Sequence, residues 1–344
     1  MTAALGYRRM VGRRWIVLAL LAVLLAAAVI GDVVTGASRL GAWDLLSVLI
    51  SPDTAPAAVR VIVWDVRLPL AVMAVLVGVS LALAGAEMQT VLNNPLASPF
   101  TLGVSSAAAL GAALAIVLEQ GLPWLPAGWL VPGNAFVFAF GAMMLLQFMS
   151  QLRGAGVDAL VLFGIALVFA FNALVALLQF IATETALQQL VFWSMGSLSR
   201  TTWPAIAVLA GALALCIPFS ARATWKLTAL RLGEDRARSF GVDVVALRRG
   251  ALVRVALLAG LSVAFVGTIG FVGLVAPHAA RLMVGEDHRF FLPAAALCGA
   301  LLLSLASLAA KAIVPGVVVP VGIVTALVGV PVFVLLVFGR GRSA

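Results

Sequence analysis

Few side chains in this sequence have the chemistry to bind a metal or to attack a substrate. There are two histidines and two cysteines, and His278 and His288 form no metal-ligand spacing with each other or with Cys216 or Cys298. Neither of the two lysines follows a glycine, so no G-x-x-x-x-G-K-[ST] loop for ATP is present. No serine stands in a G-x-S-x-G nucleophile motif. The sequence therefore predicts neither an enzyme, nor a metal site, nor a cofactor held by this chain.

The elements that carry these residues are strongly apolar. Hydrophobic residues make up 64% of the 344 residues and charged residues 10%, and the mean hydropathy is +1.18. Soluble domains contain about 25% charged residues, and disordered chains are hydrophilic. The composition excludes both classes and indicates a polytopic membrane protein.

The apolar runs predict an all-α protein of one transmembrane domain, residues 1–344, with ten spans. A helix needs about 20 apolar residues to cross a bilayer. The first run follows Arg13 and Arg14 and is interpreted as a span, because its apolar core exceeds that of a signal peptide. The predicted spans are 15–35, 67–86, 98–117, 130–150, 158–180, 202–221, 249–268, 270–287, 292–310 and 319–338.

Charge asymmetry predicts that both termini lie in the cytoplasm. With ten spans, 17 of the 22 Lys and Arg residues fall on one side of the membrane, and basic residues of short loops stay inside. The other side holds Arg39, Arg60, Arg67, Arg200 and Lys311. Topology thus accounts for the net charge of +9, and no nucleic-acid partner is expected.

An internal repeat is predicted from residues 76–95 and 258–277, which align without gaps. Leu76, Gly78, Ser80 and Gly85 meet the same residue types in the second segment. The two spans run in opposite directions, so the repeat is inverted, as in many transporters.

Charged residues within the spans are sparse, which predicts that the energy for transport comes from elsewhere. Glu87, near the inner end of the second span, is either a proton site or a carboxylate that reaches the cytoplasmic interface. Glycines such as Gly85, Gly270 and Gly273 allow close helix contact.

The largest polar loop, about 222–248, contains a predicted short helix. Leu232, Ala237 and Phe240 can share one of its faces, and Gly241 suits a C-cap. Mixed charge comes from Glu234, Asp235, Arg236 and Arg238. The composition fits either a helix on the lipid surface or a docking element for a cytoplasmic partner.

Several motifs, in order along nearly the whole chain, resemble those of the FecCD-type permeases, the membrane subunits of ABC importers for iron-siderophores, haem and vitamin B12. They are Arg67-Leu-Pro69, Gly85-x-x-x-Gln89, Asn94-Pro95-Leu-Ala-Ser-Pro99, Trp193-Ser-Met-Gly-Ser-Leu198, Leu232-Gly233-Glu234-x-x-Ala237-x-x-x-Gly241, Gly270-Phe-Val-Gly273-Leu-Val-Ala-Pro277-His278-x-x-Arg281 and Pro320-x-Gly322 with Pro331-Val-Phe333.

The resemblance implies the architecture of a type II ABC importer in a bacterial inner membrane. Two copies of the permease would form the pore, and two separate ATPase subunits would bind ATP and magnesium. An extracytoplasmic binding protein would deliver the ligand, and membrane lipids would surround the pore. In the family a loop like 232–241 docks on the ATPase, which favours docking over the lipid-surface interpretation.

Site residues follow from the same resemblance. Coupling is assigned to Leu232, Gly233, Glu234, Asp235, Ala237, Arg238 and Gly241. Gating or packing is assigned to Gly85, Gln89, Asn94, Pro95, Gly270, Gly273 and Pro277. Arg67 and Lys311 would contact acidic residues of the binding protein, although the chain has Leu70, Ser307 and Val318 where the family often has charges.

Phe171, Asn172, Gln179, Phe180 and Gln188 are predicted to line the translocation path or to pack against lipid and other helices. The cargo is predicted to be a ferric siderophore, with haem and a corrinoid as alternatives. An autonomous secondary carrier is the competing class, because a carrier works alone under an ion gradient whereas an ABC permease needs its ATPase.

Overall fold

The computed structural model describes residues 2–36, 47–52, 55–121, 125–152, 157–314 and 316–339, and within those ranges the chain is helical without a strand. The helices are α1 (Thr2–Val34), α2 (Ala57–Val61), α3 (Leu68–Val91), α4 (Val104–Val117), α5 (Leu130–Leu152), α6 (Val157–Ile181), α7 (Glu184–Ser194), α8 (Trp203–Leu230), α9 (Glu234–Ser239), α10 (Val244–Val266), α11 (Val272–Val284), α12 (His288–Ala312) and α13 (Val321–Gly339).

The ten predicted spans each correspond to a helix in the described part of the chain. Among the described residues, seven helices are long and apolar enough to cross a membrane, and three shorter apolar helices correspond to the third, eighth and tenth spans. The predicted loop 222–248 was too long, because α8 continues to Leu230 and α10 begins at Val244. Asp243 caps α10 by accepting a hydrogen bond from the backbone N–H of Ala246 at 2.9 Å.

The second span shows how sequence shapes a helix locally. Pro69 has no N–H to donate to the carbonyl of Asp65, four residues earlier. The chain adopts a π-helix over Ile62–Arg67 just before α3, which is a common response to an interrupted hydrogen-bond ladder. The result is a nearly continuous helical rod from Ala57 to Val91.

Helix α3 lies at the centre of the bundle and packs against α8, α10, α11 and α12. It is buried over most of its length, so its hydrophobicity is nearly uniform around the helix. Helix α1 packs on α12, and α4 pairs with α5 and α6. The core is therefore built around the one helix that carries Gly78, Gly85, Glu87 and Gln89.

The two ends of the bundle differ in charge. The end that carries α9 and the α11–α12 turn, called the α9 end, also receives Arg14 of α1, which pairs with Asp287 at 3.4 Å. The opposite end holds Arg67 and Lys311. Four residues counted in the charge argument, Arg39, Arg153, Arg340 and Arg342, lie outside the described residues.

The predicted repeat aligns helix with helix only in its first part. Residues 76–84 and 258–266 are both helical and belong to the two most buried spans. At the next position Gly85 lies within α3, whereas Gly267 ends α10 with a positive φ of 78°. The inverted repeat stays a prediction, and the alignment of secondary structure stops at Gly267.

Candidate functional site

The loop between α8 and α10 folds into the short helix α9, which is bounded by two glycines in conformations that other residues rarely adopt. Gly233 has φ +108° and Gly241 has φ +79°. The N–H of Gly241 donates to the carbonyl of Arg238 at 2.9 Å, which confirms the predicted end of this helix. Arg238 pairs within α9 with Glu234 at 3.3 Å and with Asp235 at 3.6 Å.

An ion pair fixes α9 to the transmembrane helices. Glu234 also pairs with Arg248 in the second turn of α10, and the Nε of Arg248 donates to the carbonyl of Val91, the last residue of α3, at 3.1 Å. The side chain of Ala237, within α9, is completely buried against the rest of the protein. Helix α9 therefore cannot shift without disturbing α3 and α10.

A second group of ionic contacts lies beside the first. Arg231, just after α8, donates to Asn93 at 2.9 Å and pairs with Glu286 at 2.5 Å. Arg281 of α11 pairs with the same carboxylate at 3.3 Å and donates to Gln89 at 3.0 Å. The ends of α3, α8 and α11 are thus joined through Glu286.

The electrostatics of this group keep Glu286 ionised. Partial burial alone would raise the pKa of Glu286, but the hydrogen bond from Arg231 and the charges of Arg231 and Arg281 outweigh it and lower the pKa below its ordinary value. The neighbouring Asp287 also has a lowered pKa, first because of its hydrogen bonds from Arg289. Both carboxylates therefore stay charged at neutral pH.

The surface of the α9 segment is apolar at two points. Leu232 and Phe240 are 54% and 58% exposed, whereas Ala237 points into the protein. The prediction that these three residues share one face was wrong, because Leu232 lies in the turn before the helix. Leu232 and Phe240 thus flank a helix that is held by ion pairs, and two exposed apolar side chains in this position form a surface suited to contact with another protein.

A cavity of about 680 Å³ lies between α9, the start of α6 and the turn that follows α3. Asn94 and Pro95, assigned to gating or packing, lie in this turn and line the cavity together with Glu234. The Oδ1 of Asn94 accepts a hydrogen bond from the N–H of Leu96 at 2.9 Å, which stabilises the turn.

Close backbone contacts explain the glycines of α3. A Cβ atom on Gly85 would overlap the carbonyl of Gly273 in α11, and one on Gly78 would overlap that of Gly299 in α12. The pairs α3–α11 and α3–α12 can therefore approach this closely only because each helix carries a glycine at the point of contact. Pro277 is buried within α11. Gly270 lies in the break before α11 and has free space around the position of a Cβ, so close packing does not explain it.

Glu87 occupies an internal ion pair rather than either of its predicted positions. The side chain is 2% exposed and accepts hydrogen bonds from Arg254 Nη2 at 2.7 Å and Ser220 Oγ at 2.5 Å. The Nε of Arg254 also contacts both carboxylate oxygens. The prediction of a carboxylate at the cytoplasmic interface was wrong, because the side chain is buried among α3, α8 and α10.

Arg67 and Lys311 bind the end of α1 at the opposite end of the bundle. Arg67 donates to the carbonyls of Val33 and Val34 at 3.0 and 2.7 Å. Lys311 pairs with Asp32 at 2.9 Å and donates to its carbonyl at 2.7 Å. The cations complement the negative end of the helix dipole. Both side chains are buried, so their assignment to protein docking stays a prediction that this geometry does not support.

The predicted path residues separate into three groups. Asn172 and Phe180 lie on the exposed side of α6 with Phe169, and Gln179 is half-buried beside them. Phe171 points away from this side and packs on a buried cluster that includes Leu110 of α4. Gln188 lies on α7 and lines a different cavity.

The sequence matches the FecCD transport family over residues 20–339. It is 39% identical over 277 residues to the hemin transport system permease protein HmuU of Yersinia pestis, covering 80% of this chain and 83% of that protein. It is 36% identical over 295 residues to the vitamin B12 import system permease protein BtuC of Salmonella typhimurium, covering 84% and 87%.

The chain belongs to the FecCD transport family. Its fold is also similar to that of a metal-chelate type ABC transporter in an inward-facing conformation, with a TM-score of 0.81, 32% identity and coverage of 94% of this chain and 99% of that chain. It is therefore an ABC importer permease of the FecCD type, a multi-pass membrane transporter subunit.

This FecCD permease contains a glycine junction that the sequence analysis did not identify, formed by Gly196, Gly267 and Gly322. The N–H of Gly322, at the start of α13, donates to the carbonyl of Gly196 at 3.1 Å. A Cβ atom on any of the three would overlap backbone of a neighbouring segment. The Gly196 and Gly322 motifs were quoted in the sequence, but only contacts between distant segments reveal that they meet.

Proposed function

We propose that this FecCD permease is the pore-forming subunit of an importer that carries a ferric siderophore across the bacterial cytoplasmic membrane, with both termini inside, by alternating access. The observation that carries the proposal is the α9 segment. Its exposed Leu232 and Phe240 flank α9, which an ion pair with Arg248 connects to α10 and a hydrogen bond from the same arginine connects to α3. A partner that moves α9 would therefore also displace the transmembrane helices.

The partner that fits α9 is a separate ATPase subunit. The chain has no phosphate-binding loop of its own, and α9 combines apolar side chains with both signs of charge. Docking of two such ATPase subunits on two copies of the permease would convert ATP binding into helix movement. An extracytoplasmic binding protein would deliver the cargo at the opposite end.

The second copy of the permease would cover α6 and α13. Only 11% of the apolar window of α6 is buried within the chain. Large apolar residues such as Leu327 and Leu335 of α13 are likewise exposed. A pore between two copies would then be lined by uncharged residues such as Asn172, which suits a bulky chelate that must not bind tightly.

Three cargo classes remain to be separated by experiment. Similarity to a metal-chelate type transporter supports a ferric chelate, whereas the relatives named above are a hemin permease and a vitamin B12 permease. Uptake into proteoliposomes containing the ATP-driven complex should be compared for ⁵⁵Fe-labelled ferrichrome, hemin and cyanocobalamin. Uptake of hemin or cyanocobalamin alone would contradict the siderophore proposal but leave the importer intact.

The docking role of α9 is tested by Arg238→Glu. Charge reversal places a third acidic residue beside Glu234 and Asp235, so we expect the protein to insert normally while ATP-driven uptake is lost. Arg249→Glu is the matched control, because Arg249 is also exposed at the α9 end but lies outside α9. Normal uptake by the Arg238 variant would refute the docking role.

The ATPase requirement has its own test. Gentle purification from membranes followed by native mass spectrometry should yield two permeases with two ATPase subunits. A permease that purifies alone and transports under an ion gradient would instead establish the secondary-carrier alternative.

A further inference from the structure

A cavity of about 980 Å³ opens at the end of the bundle opposite α9. It lies between α5, α7 and α8 and the last turns of α4 and α10, and Gln188 is among its lining residues. Its volume is at the upper end of the range of about 300–1,000 Å³ that is typical of ligand sites. Neither the coupling surface at α9 nor the exposed side of α6 explains this cavity.

The lining of the cavity combines aromatic and polar side chains. Trp129, Phe192, Trp193 and Phe265 supply large apolar surfaces, and Trp129 and Phe265 hold each other in an edge-to-face contact at 5.8 Å. Gln188 and Gln189 of α7 add amide groups that can donate hydrogen bonds. An amphiphilic molecule matches such a lining better than a wholly polar or a wholly apolar one.

Arg200 gives the cavity a positive charge. Among the described residues its guanidinium makes one hydrogen bond, to the carbonyl of Trp193 at 3.3 Å, and no carboxylate lies within ion-pair distance. Burial lowers the pKa of Arg200 from its ordinary value, yet arginine stays charged at physiological pH. The cavity therefore contains a cation without an acidic partner, which favours an anionic ligand.

The position of the cavity favours a lipid over the transported chelate. The lining residues include the ends of α4 and α10 and the starts of α5 and α8, and tryptophan side chains such as Trp129 concentrate where helices meet the membrane interface. Neither α6 nor α13, the helices with open faces for a second copy, contributes a lining residue. The cavity is thus built by helices other than those proposed to form the pore.

We propose that this cavity binds the anionic headgroup and the upper acyl chains of a phospholipid from the outer leaflet. Arg200 and the Gln188 and Gln189 amides hold the phosphate, and Trp129, Phe192 and Phe265 contact the glycerol and acyl region. The assignment to the outer leaflet rests on the proposed topology and pore helices, whereas the inference does not depend on which cargo the permease carries or on how its ATPase docks.

Photo-crosslinking of the purified permease complex in nanodiscs tests the proposal. Phosphatidylglycerol and phosphatidylcholine, each with a diazirine near the top of one acyl chain, are compared, and cross-linked peptides are mapped. We expect phosphatidylglycerol to label segments 127–132 and 185–193 about tenfold more than phosphatidylcholine. Both lipids present a phosphate, but the choline cation of phosphatidylcholine is repelled by Arg200, and a difference of about 1.4 kcal/mol corresponds to a factor of ten in affinity. Arg200→Gln should abolish the preference, and Arg200→Lys should retain most of it.

Arg60→Gln, which removes another exposed arginine at the same end, is the control and should leave the preference unchanged. Equal labelling by the two lipids, or no label in the two segments, would overturn the proposal. Label that excess ferric citrate displaces but unlabelled phosphatidylglycerol does not would identify an anionic chelate as the occupant instead. Competition by inorganic phosphate alone would reduce the site to one for a free anion.

Discussion

Replacing Glu87 by leucine should destabilise the permease strongly, because the substitution leaves Arg254 charged inside the bundle without a counterion. Arg254 is 13% exposed and Glu87 2%. Three contacts from the guanidinium and one from Ser220 would be lost. Removal of one partner of a buried ion pair costs about 3–5 kcal/mol, whereas a single hydrogen bond between membrane helices contributes about 0.6 kcal/mol on average.

These two magnitudes predict an order among variants. Glu87→Gln keeps an acceptor for Arg254 and Ser220 and should lose about 1–2 kcal/mol, between the two values above. The double variant Glu87→Leu with Arg254→Met removes both charges and should regain most of the stability lost by Glu87→Leu. We expect a favourable interaction between the two residues of more than about 0.5 kcal/mol in the double-mutant cycle.

The assay is thermal unfolding of the purified protein in detergent, together with ATP-driven uptake by the reconstituted complex. Equal melting temperatures for Glu87→Leu and the double variant would refute the ion pair as the source of stability. A Glu87→Gln protein with unchanged stability but no transport would instead restore the proton-site interpretation of Glu87.

Three further outcomes are expected. Arg248→Gln, which frees α9 from α10 and α3, should leave ATP hydrolysis measurable while reducing the uptake per ATP several-fold, with normal uptake contradicting the link. Gly85→Ala should lower the melting temperature by several degrees because its methyl group overlaps Gly273, with a cost of about 1–3 kcal/mol or more. Gly211→Ala, at a helix position with open space, is the control and should be neutral or slightly stabilising. The pKa of Glu286 is lowered in the folded state. The stability that Glu286 contributes is therefore complete above its unfolded pKa of about 4.3 and is lost as the pH falls through the lower folded value. When melting temperatures are measured from pH 3.5 to 7, they should fall less steeply on acidification for Glu286→Gln than for the natural sequence.

The helices could be predicted from the sequence because hydrophobicity over about 20 residues is a local property. The α9 segment could also be predicted from local sequence, because Gly241 and its charged neighbours lie within one or two helical turns of each other. Helix α7 was missed, although Thr183 followed by Glu184 is a capping signal, because its exposed amides resemble a loop. Thr183 is the N-cap of α7, because its side-chain oxygen accepts a hydrogen bond from the N–H of Ala186.

The partners of charged residues could not be predicted, since they come from distant segments. Glu87 and Arg254 are 167 positions apart. Lys311 pairs with the carboxylate of Asp32 in α1, 279 positions away, rather than with a residue at position 307, where this chain has a serine. No periodicity in one sequence connects such positions. The same limit applies to the glycine junction and to the cavity beside Arg200.

Helix α10 connects the two ends of this permease. Arg248 attaches its second turn to α9, and its last turn enters the junction formed by Gly196, Gly267 and Gly322. A helix of 23 residues is about 34 Å long. A tilt of about 5° at one end therefore displaces the other end by about 3 Å, a stroke comparable to the helix shifts that switch other proteins between states. Because backbone meets backbone directly at Gly196, Gly267 and Gly322, such a displacement would reach the start of α13.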